Sequence, residues 1–239
     1  MQKQSKKIIS VFAIIAIICS LFSNVFAATD AVTLQIGDSK TNYDTVAEAV
    51  AAVPKDNINA VITFNDNFTG SGVKVNENQN ITFDLNSFTW DVTDTVGSTG
   101  TETNGLQLLK GSTVKIQNGA ITSKTAKLLI QNYCDLTIDN VKLSGTDNLT
   151  QYIISNNNGS TTITGGSEIT AAEGGIAFDS DKWGGYDGGN VILESGIING
   201  NINATNGGKM TLNGGTLNGE VLASNYTSAG YDSQSPIYN

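Results

Sequence analysis

Apolar residues recur along this chain in one short pattern: an apolar residue, a second two places on, a turn pair, and a third seven places from the first. Ile81, Phe83 and Phe88 fit it, as do Val114, Ile116 and Ile121, then Leu136, Ile138 and Leu143. Val191, Leu193 and Ile198 follow, and Met210, Leu212 and Leu217. Thr161, Ile163 and Ile169 form an imperfect copy, with the third member one place late. The turn pair is Asn118-Gly119, Gly165-Gly166, Ser195-Gly196 or Gly214-Gly215, and Leu85-Asn86 or Asn140-Val141 in the remaining copies. Glycine there supplies the positive φ that a sharp change of strand direction needs. A second strand closes most copies: Leu128 to Asn132, Tyr152 to Asn156, Ile202 to Asn206 and Val221 to Asn225, each ending in asparagine.

Alternation with period two predicts strands with one buried face. A single copy of about 20 residues cannot bury that face alone, whereas copies stacked at about 4.8 Å can. Intervals between first apolar positions are 33, 22, 25, 30 and 19 residues. Such variation suits a constant strand–turn–strand core carrying one variable loop. A β-sandwich is the rival, but it would call for hairpins of roughly equal strands. The expected class is all-β: a right-handed single-stranded parallel β-helix, the hand following the bias of parallel crossovers. The strand-ending asparagines are expected to stack and share amide hydrogen bonds along the axis, because an unpaired buried amide costs about 1–3 kcal/mol.

The two ends read differently. Thr45-Val46-Ala47-Glu48 is a capping-box pattern. Val46, Ala49, Val50 and Val53 form a helical stripe that Pro54 stops, so a short amphipathic helix is expected over the first coil. Before it, Lys3, Lys6 and Lys7, the apolar run Ile8 to Leu21, and Val25-Phe26-Ala27 read as a secretory signal peptide. The expected organisation is a signal peptide at 1–27, a cap with the helix at 28–60, coils at 61–225 and a C-terminal tail at 226–239.

Charge narrows the partners. Three of the 13 lysines lie in the leader, leaving ten against 22 acids, a formal charge of about −12 on the remainder. So acidic a chain argues against nucleic acid and against an anionic membrane surface, and no membrane insertion is expected after cleavage. Only Cys134 follows the leader, so no intramolecular disulfide is possible there. It is expected as a small core or turn residue.

The stretch from Asn42 to Thr89 carries a resemblance to a known family: a helix ending at Pro54, a strand at Val61 to Phe64, then Ile81-Thr82-Phe83-Asp84-Leu85-Asn86. It resembles the pectin lyase-like superfamily of right-handed parallel β-helices, including adhesin-like bacterial surface proteins, and the copies to about residue 225 continue the likeness. The resemblance implies the fold. It leaves function open among polysaccharide lyases, glycoside hydrolases, esterases and non-enzymatic surface proteins.

The chain holds no histidine and no arginine. That excludes Ser-His-Asp and Cys-His catalysis, histidine zinc sites and guanidinium capture of carboxylates. The arginine and histidine motifs that the resemblance would imply for its enzymes have no counterpart here. A lysine base beside calcium held by carboxylates survives, as does a pair of carboxylates acting on a glycosidic bond. The segment Phe178 to Gly189, expected to be a loop, is the best local candidate. Asp179, Asp181 and Asp187 offer hard oxygens at close spacing for calcium. Trp183 and Tyr186 offer rings that stack on sugar faces, and Lys182 precedes them. The pairs Asp135/Asp139 and Glu168/Glu173 show no converging partner in sequence. The expectation is a secreted, non-enzymatic protein for surface adhesion or for binding glycan or cell envelope. A calcium-dependent lyase or glycoside hydrolase and a purely structural coat component are the alternatives.

Overall fold

The computed structural model describes residues 30–145, 152–181, 189–205, 207–226 and 236–237. It is mostly strand. The chain enters through β1 (Val32–Ile36) and β2 (Ser39–Tyr43), forms helix α1 (Val46–Ala52), and continues into β3 (Asn59–Phe64), β4 (Phe68–Ser71) and β5 (Val73–Val75). The next repeat holds β6 (Asn80–Asp84), β7 (Thr89–Asp94), β8 (Val96–Ser98) and β9 (Thr101–Leu108). Then come β10 (Thr113–Ser123) with β11 (Leu128–Asn132), and β12 (Asp135–Gly145) with β13 (Tyr152–Asn157). The later repeats are β14 (Ser160–Thr164), β15 (Glu168–Thr170) and β16 (Ile176–Asp181), then β17 (Asn190–Leu193), β18 (Ile197–Asn199) and β19 (Asn201–Thr205). Last come β20 (Lys209–Leu212), β21 (Thr216–Asn218), β22 (Val221–Tyr226) and β23 (Pro236–Ile237).

These strands form two sheets. The first runs β2-β1-β3-β6-β10-β12-β14-β17-β20, with β4, β7, β15, β18 and β21 beside that path. The second runs β23-β22-β19-β16-β13-β11-β9-β5, with β8 on β9. Among the described residues every repeat-to-repeat pairing is parallel, and only the contacts β1–β2, β1–β3, β8–β9 and β22–β23 are antiparallel.

The apolar pattern becomes three rows in the first sheet, buried through their middle and only half-buried or exposed at β20 and β21. Ile62, Phe83, Ile116, Ile138, Ile163, Leu193 and Leu212 are successive register partners. A second row joins Ala60, Ile81, Val114, Leu136, Thr161, Val191 and Met210. The third joins Phe68, Trp90, Ile121, Leu143, Ile169, Ile198 and Leu217. Trp90, not Phe88, therefore fills the third core position of its repeat. The turn there is longer because Asn86 and Ser87 both take left-handed backbone. Trp90 packs among Phe64, Phe68 and Phe83, with ring centroids 5.6 to 6.4 Å apart. Inward residues of both sheets belong to one hydrophobic cluster.

The turn chemistry departs from the glycine rule in one informative way. At Asn118-Gly119 the asparagine carries the positive φ, and at Asn140 likewise. Asn118 donates to Asp84 Oδ1 and Asn140 donates to Asn118 Oδ1, each at 3.2 Å, so these turns stack through their amides. Gly119 is needed for space instead: a Cβ there would lie 2.5 Å from Leu85 Cβ and from Phe88 O.

Helix α1 forms as its pattern demands. Thr45 Oγ1 accepts from Glu48 N at 3.1 Å and donates to Glu48 Oε2 at 2.9 Å. Val46, Ala49, Val50 and Val53 are buried. Gln79 Nε2 closes the C-terminal turn by donating to the carbonyls of Val50 and Val53, both at 2.9 Å. The hairpin β1–β2 extends the first sheet beyond β3, an addition the repeat pattern does not announce. Outside the core, Lys115 meets Asp139 at 2.8 Å and Lys142 meets Glu168 at 3.7 Å, the cross-strand partners these acids lack in sequence. Such partly exposed pairs contribute about 0–1 kcal/mol. Cys134 is buried, and burial pushes its thiol up to about 12.

Asparagines pair inside the second sheet. Asn132 Nδ2 donates to Asn156 Oδ1 at 2.9 Å and to Thr161 Oγ1 at 3.0 Å, and Thr161 donates to Asn156 Oδ1 at 2.9 Å. Thr161 stands in an otherwise apolar row because its hydroxyl completes this buried triad. The ladder is shorter than expected. Register places Leu108, Asn132, Asn156, Ser180, Ala204 and Ala223 in one row. The bond from Asn132 to Asn156 is the one asparagine-to-asparagine step that this row contains. Asn225 falls two places beyond the row, and Asn206 lies outside the described residues.

Candidate functional site

The outward face of the second sheet carries a polar concave surface. Along each of its strands, Leu106, Ile130, Ile154, Phe178 and Ile202 point inward and are buried. The next residues, Gln107, Gln131, Ser155, Asp179 and Asn203, are register partners on five consecutive strands and face a groove. Asn104, Leu128 and Tyr152 form a second row on one side of them. On the other side lie Tyr133, Asn157, Asp181 and Thr205, two places further along the chain from the row. Ser98, Gly100 and Thr101, from the antiparallel pair β8–β9, line the groove at one end. Its volume is about 980 Å³.

Amides organise the end nearer β9. Asn104 Nδ2 and Gln107 Nε2 both donate to Gln131 Oε1, at 3.0 and 2.9 Å, and Gln131 Nε2 donates to the Tyr133 hydroxyl at 3.0 Å. This arrangement fixes the three amides and leaves Asn104 Oδ1 and Gln107 Oε1 buried with no partner. An orphaned buried acceptor is costly, so it marks a place where a donor is wanted.

Carboxylates occupy the other end. Asp179 accepts from Asn203 Nδ2 at 3.1 Å. Burial raises its pKa to about 6, the Asn203 bond opposes the rise, and the charge of Asp181 adds to it. Among the described residues, Lys127 is the one cationic side chain lining the groove, and it is exposed.

Of the residues expected to act, Asp179 and Asp181 both reach this groove, but from a strand rather than a loop. Residues 176–181 are β16, paired with β13 and β19, and Phe178 is core. The two-residue period that points Phe178 inward sends both aspartates outward. Lys182, Trp183, Tyr186 and Asp187 lie outside the described residues, so the three-aspartate calcium set is not assembled within them. Among the described residues no group of three or more acidic, cysteine or histidine side chains is placed to hold a metal ion.

Sequence reasoning passes over Asn104, Gln107, Gln131, Tyr133 and Tyr152. The signal is present: a polar residue precedes the terminal asparagine in Ile130-Gln131-Asn132 and in Ile154-Ser155-Asn156, and with one face buried it must face outward. No protein-family model, curated protein or solved structure matches this chain.

Proposed function

We propose that the protein is a secreted, non-enzymatic right-handed parallel β-helix of the pectin lyase-like kind, its two sheets being faces of one solenoid, and that it binds a glycan of a cell surface or envelope. The observation that carries the binding reading is the groove of about 980 Å³, floored by a register-matched row of two glutamines, a serine, an aspartate and an asparagine. Such a row offers both donors and acceptors to sugar hydroxyls. Tyr133 and Tyr152 flank it, and their rings suit the apolar faces of sugars. The parallel pairing from repeat to repeat and the shared interior cluster support the solenoid.

A glycan array probed with the secreted chain, with and without calcium, tests the reading. Binding is expected that weakens about ten-fold or more in Gln131→Ala and Tyr152→Ala, since a lost stacking or hydrogen-bonding group at a buried contact costs over ~1 kcal/mol. No bound glycan, or binding indifferent to both substitutions, would overturn it.

One observation favours a second reading. Asp179, with its pKa raised to about 6 by burial, stands two places from Asp181 on the groove-facing side of one strand. Glycosidases use such a pair as acid and base. Turnover of a bound glycan, read as released reducing ends and abolished by both Asp179→Asn and Asp181→Asn, would establish the hydrolase. Release of unsaturated ends that needs calcium and disappears in Lys182→Ala would establish the lyase.

A further inference from the structure

We propose that the groove takes an extended, uncharged glycan lying across the strands, about one sugar unit per strand, and discriminates against polyuronates. This rests on the glycan reading and adds the ligand's class, direction and length.

Direction and length follow from register. Gln107, Gln131, Ser155, Asp179 and Asn203 occupy five adjacent parallel strands at the same position. Adjacent strands are about 4.8 Å apart, so the row offers a hydrogen-bonding group every ~4.8 Å over roughly 19 Å. That spacing is close to the length of one sugar unit in an extended chain. A glycan running along a strand would instead meet an outward-facing side chain only at every second residue, about 6.6 Å apart. One running across the strands meets a polar side chain at each step.

Class follows from the chemistry of the row. Asn104 and Gln107 are only 3% and 5% exposed, and each keeps an amide oxygen with no partner. Those oxygens lie beneath the groove surface, so these two amides bring no charge to it. At the far end Asp179 and Asp181 present acceptors that a hydroxyl can satisfy. A uronate there would place like charges together in a partly desolvated site. Neutral hydroxyls both donate and accept, and so suit every member of the row.

The test is isothermal titration of the full secreted chain with matched polymer pairs: polygalacturonate and alginate against their carboxyl-reduced forms, and glucuronoxylan against unsubstituted xylan. The neutral member of at least one pair should bind about ten-fold or more tightly than its acidic partner, a gap near ~1.4 kcal/mol. Asp179→Asn should narrow that gap, and Asp181→Asn provides the same arm should the first variant fail to fold. A length series of the bound neutral glycan should gain affinity up to about five units and then level off, as the five-strand row requires. Equal or tighter binding of the acidic members, or a plateau at one or two units, would overturn the proposal while leaving a glycan-binding protein. No binding to any member would overturn both this proposal and the glycan reading.

Discussion

Asn203 reaches across from the neighbouring strand to Asp179, its amide 3.1 Å from Oδ1, yet the carboxyl it contacts still has a pKa raised to about 6. Burial outweighs the one favourable bond, and Asp181 adds to the burial effect. The consequence for stability has a definite sign. An acid whose folded pKa lies above its ordinary 3.8 binds more protons folded than unfolded between the two values. It therefore destabilises increasingly as pH rises from about 4 to about 6, holds a constant penalty above, and has no effect below about 4.

Two pKa units correspond to about 3 kcal/mol, and the partial exposure of this carboxyl lowers the expectation to about 1–2 kcal/mol. Asp179→Asn, which keeps an oxygen for Asn203, should be more stable than wild type by that amount at about pH 7 and indistinguishable from it at about pH 3.5. Urea denaturation of both proteins across that range reads this directly. A difference that does not change with pH would show that the carboxyl is not held in its protonated range.

The buried triad of Asn132, Asn156 and Thr161 gives a second expectation. Asn132 also accepts from Cys134 N at 2.9 Å, so its removal strands that backbone N–H and leaves Asn156 Oδ1 and Thr161 Oγ1 with the bond between them. Asn132→Ala should cost about 1–3 kcal/mol, the range for one orphaned buried N–H. Thr161→Val, which restores the apolar type found elsewhere in that row, should be non-additive with it. Additive losses would mean that the three side chains do not act as one network.

These same residues show how far the chain can be read unaided. The inner rows follow from alternation alone, because a strand with one buried face has no freedom over which residues it hides. Thr161 looks like a lapse in the pattern, since its reason is a partner 29 positions away. The seven-place spacing selects Phe88 for the core position that Trp90 fills, because two left-handed residues in a turn change strand phase without a spacing signal. Sequence alone sets Asp179 and Asp181 in a loop: their strand is held by β13 and β19 rather than by its own weakly alternating residues. The groove is the least legible part, because its polar row is assembled by register between strands some 24 residues apart.

Position along a row should matter as much as residue type. Ile138 and Leu212 belong to the same row, but Ile138 is fully buried between neighbours whereas Leu212, on β20, is 54% exposed. Ile138→Ala should cost about 2–5 kcal/mol, the range for a core cavity. Leu212→Ala should cost under about 1 kcal/mol, because most of its side chain is already in water. Equilibrium denaturation separates the two, and equal losses would mean that Leu212 is covered in solution.

Trp90 and Trp183 are the chain's two tryptophans, and they allow the segment beyond Asp181 to be followed on its own. Trp90 is fully buried against Phe64, Phe68 and Phe83, and its indole Nε1 has no hydrogen-bond partner. Trp90→Phe keeps an aromatic ring in the cluster and deletes an N–H that makes no bond, so the variant should fold and leave Trp183 as the sole reporter. Trp183 follows the groove residue Asp181 by two positions. If the glycan occupies the groove and extends toward that segment, titration should shift the emission of Trp90→Phe, while Trp183→Phe should show little change because Trp90 is sealed in the core. Repeating the titration with calcium tests whether Asp187 joins Asp179 and Asp181 around the ion. An emission unmoved by every bound glycan, or affinity unchanged in Trp183→Ala, would confine recognition to the strand face and remove Trp183 and Tyr186 from it.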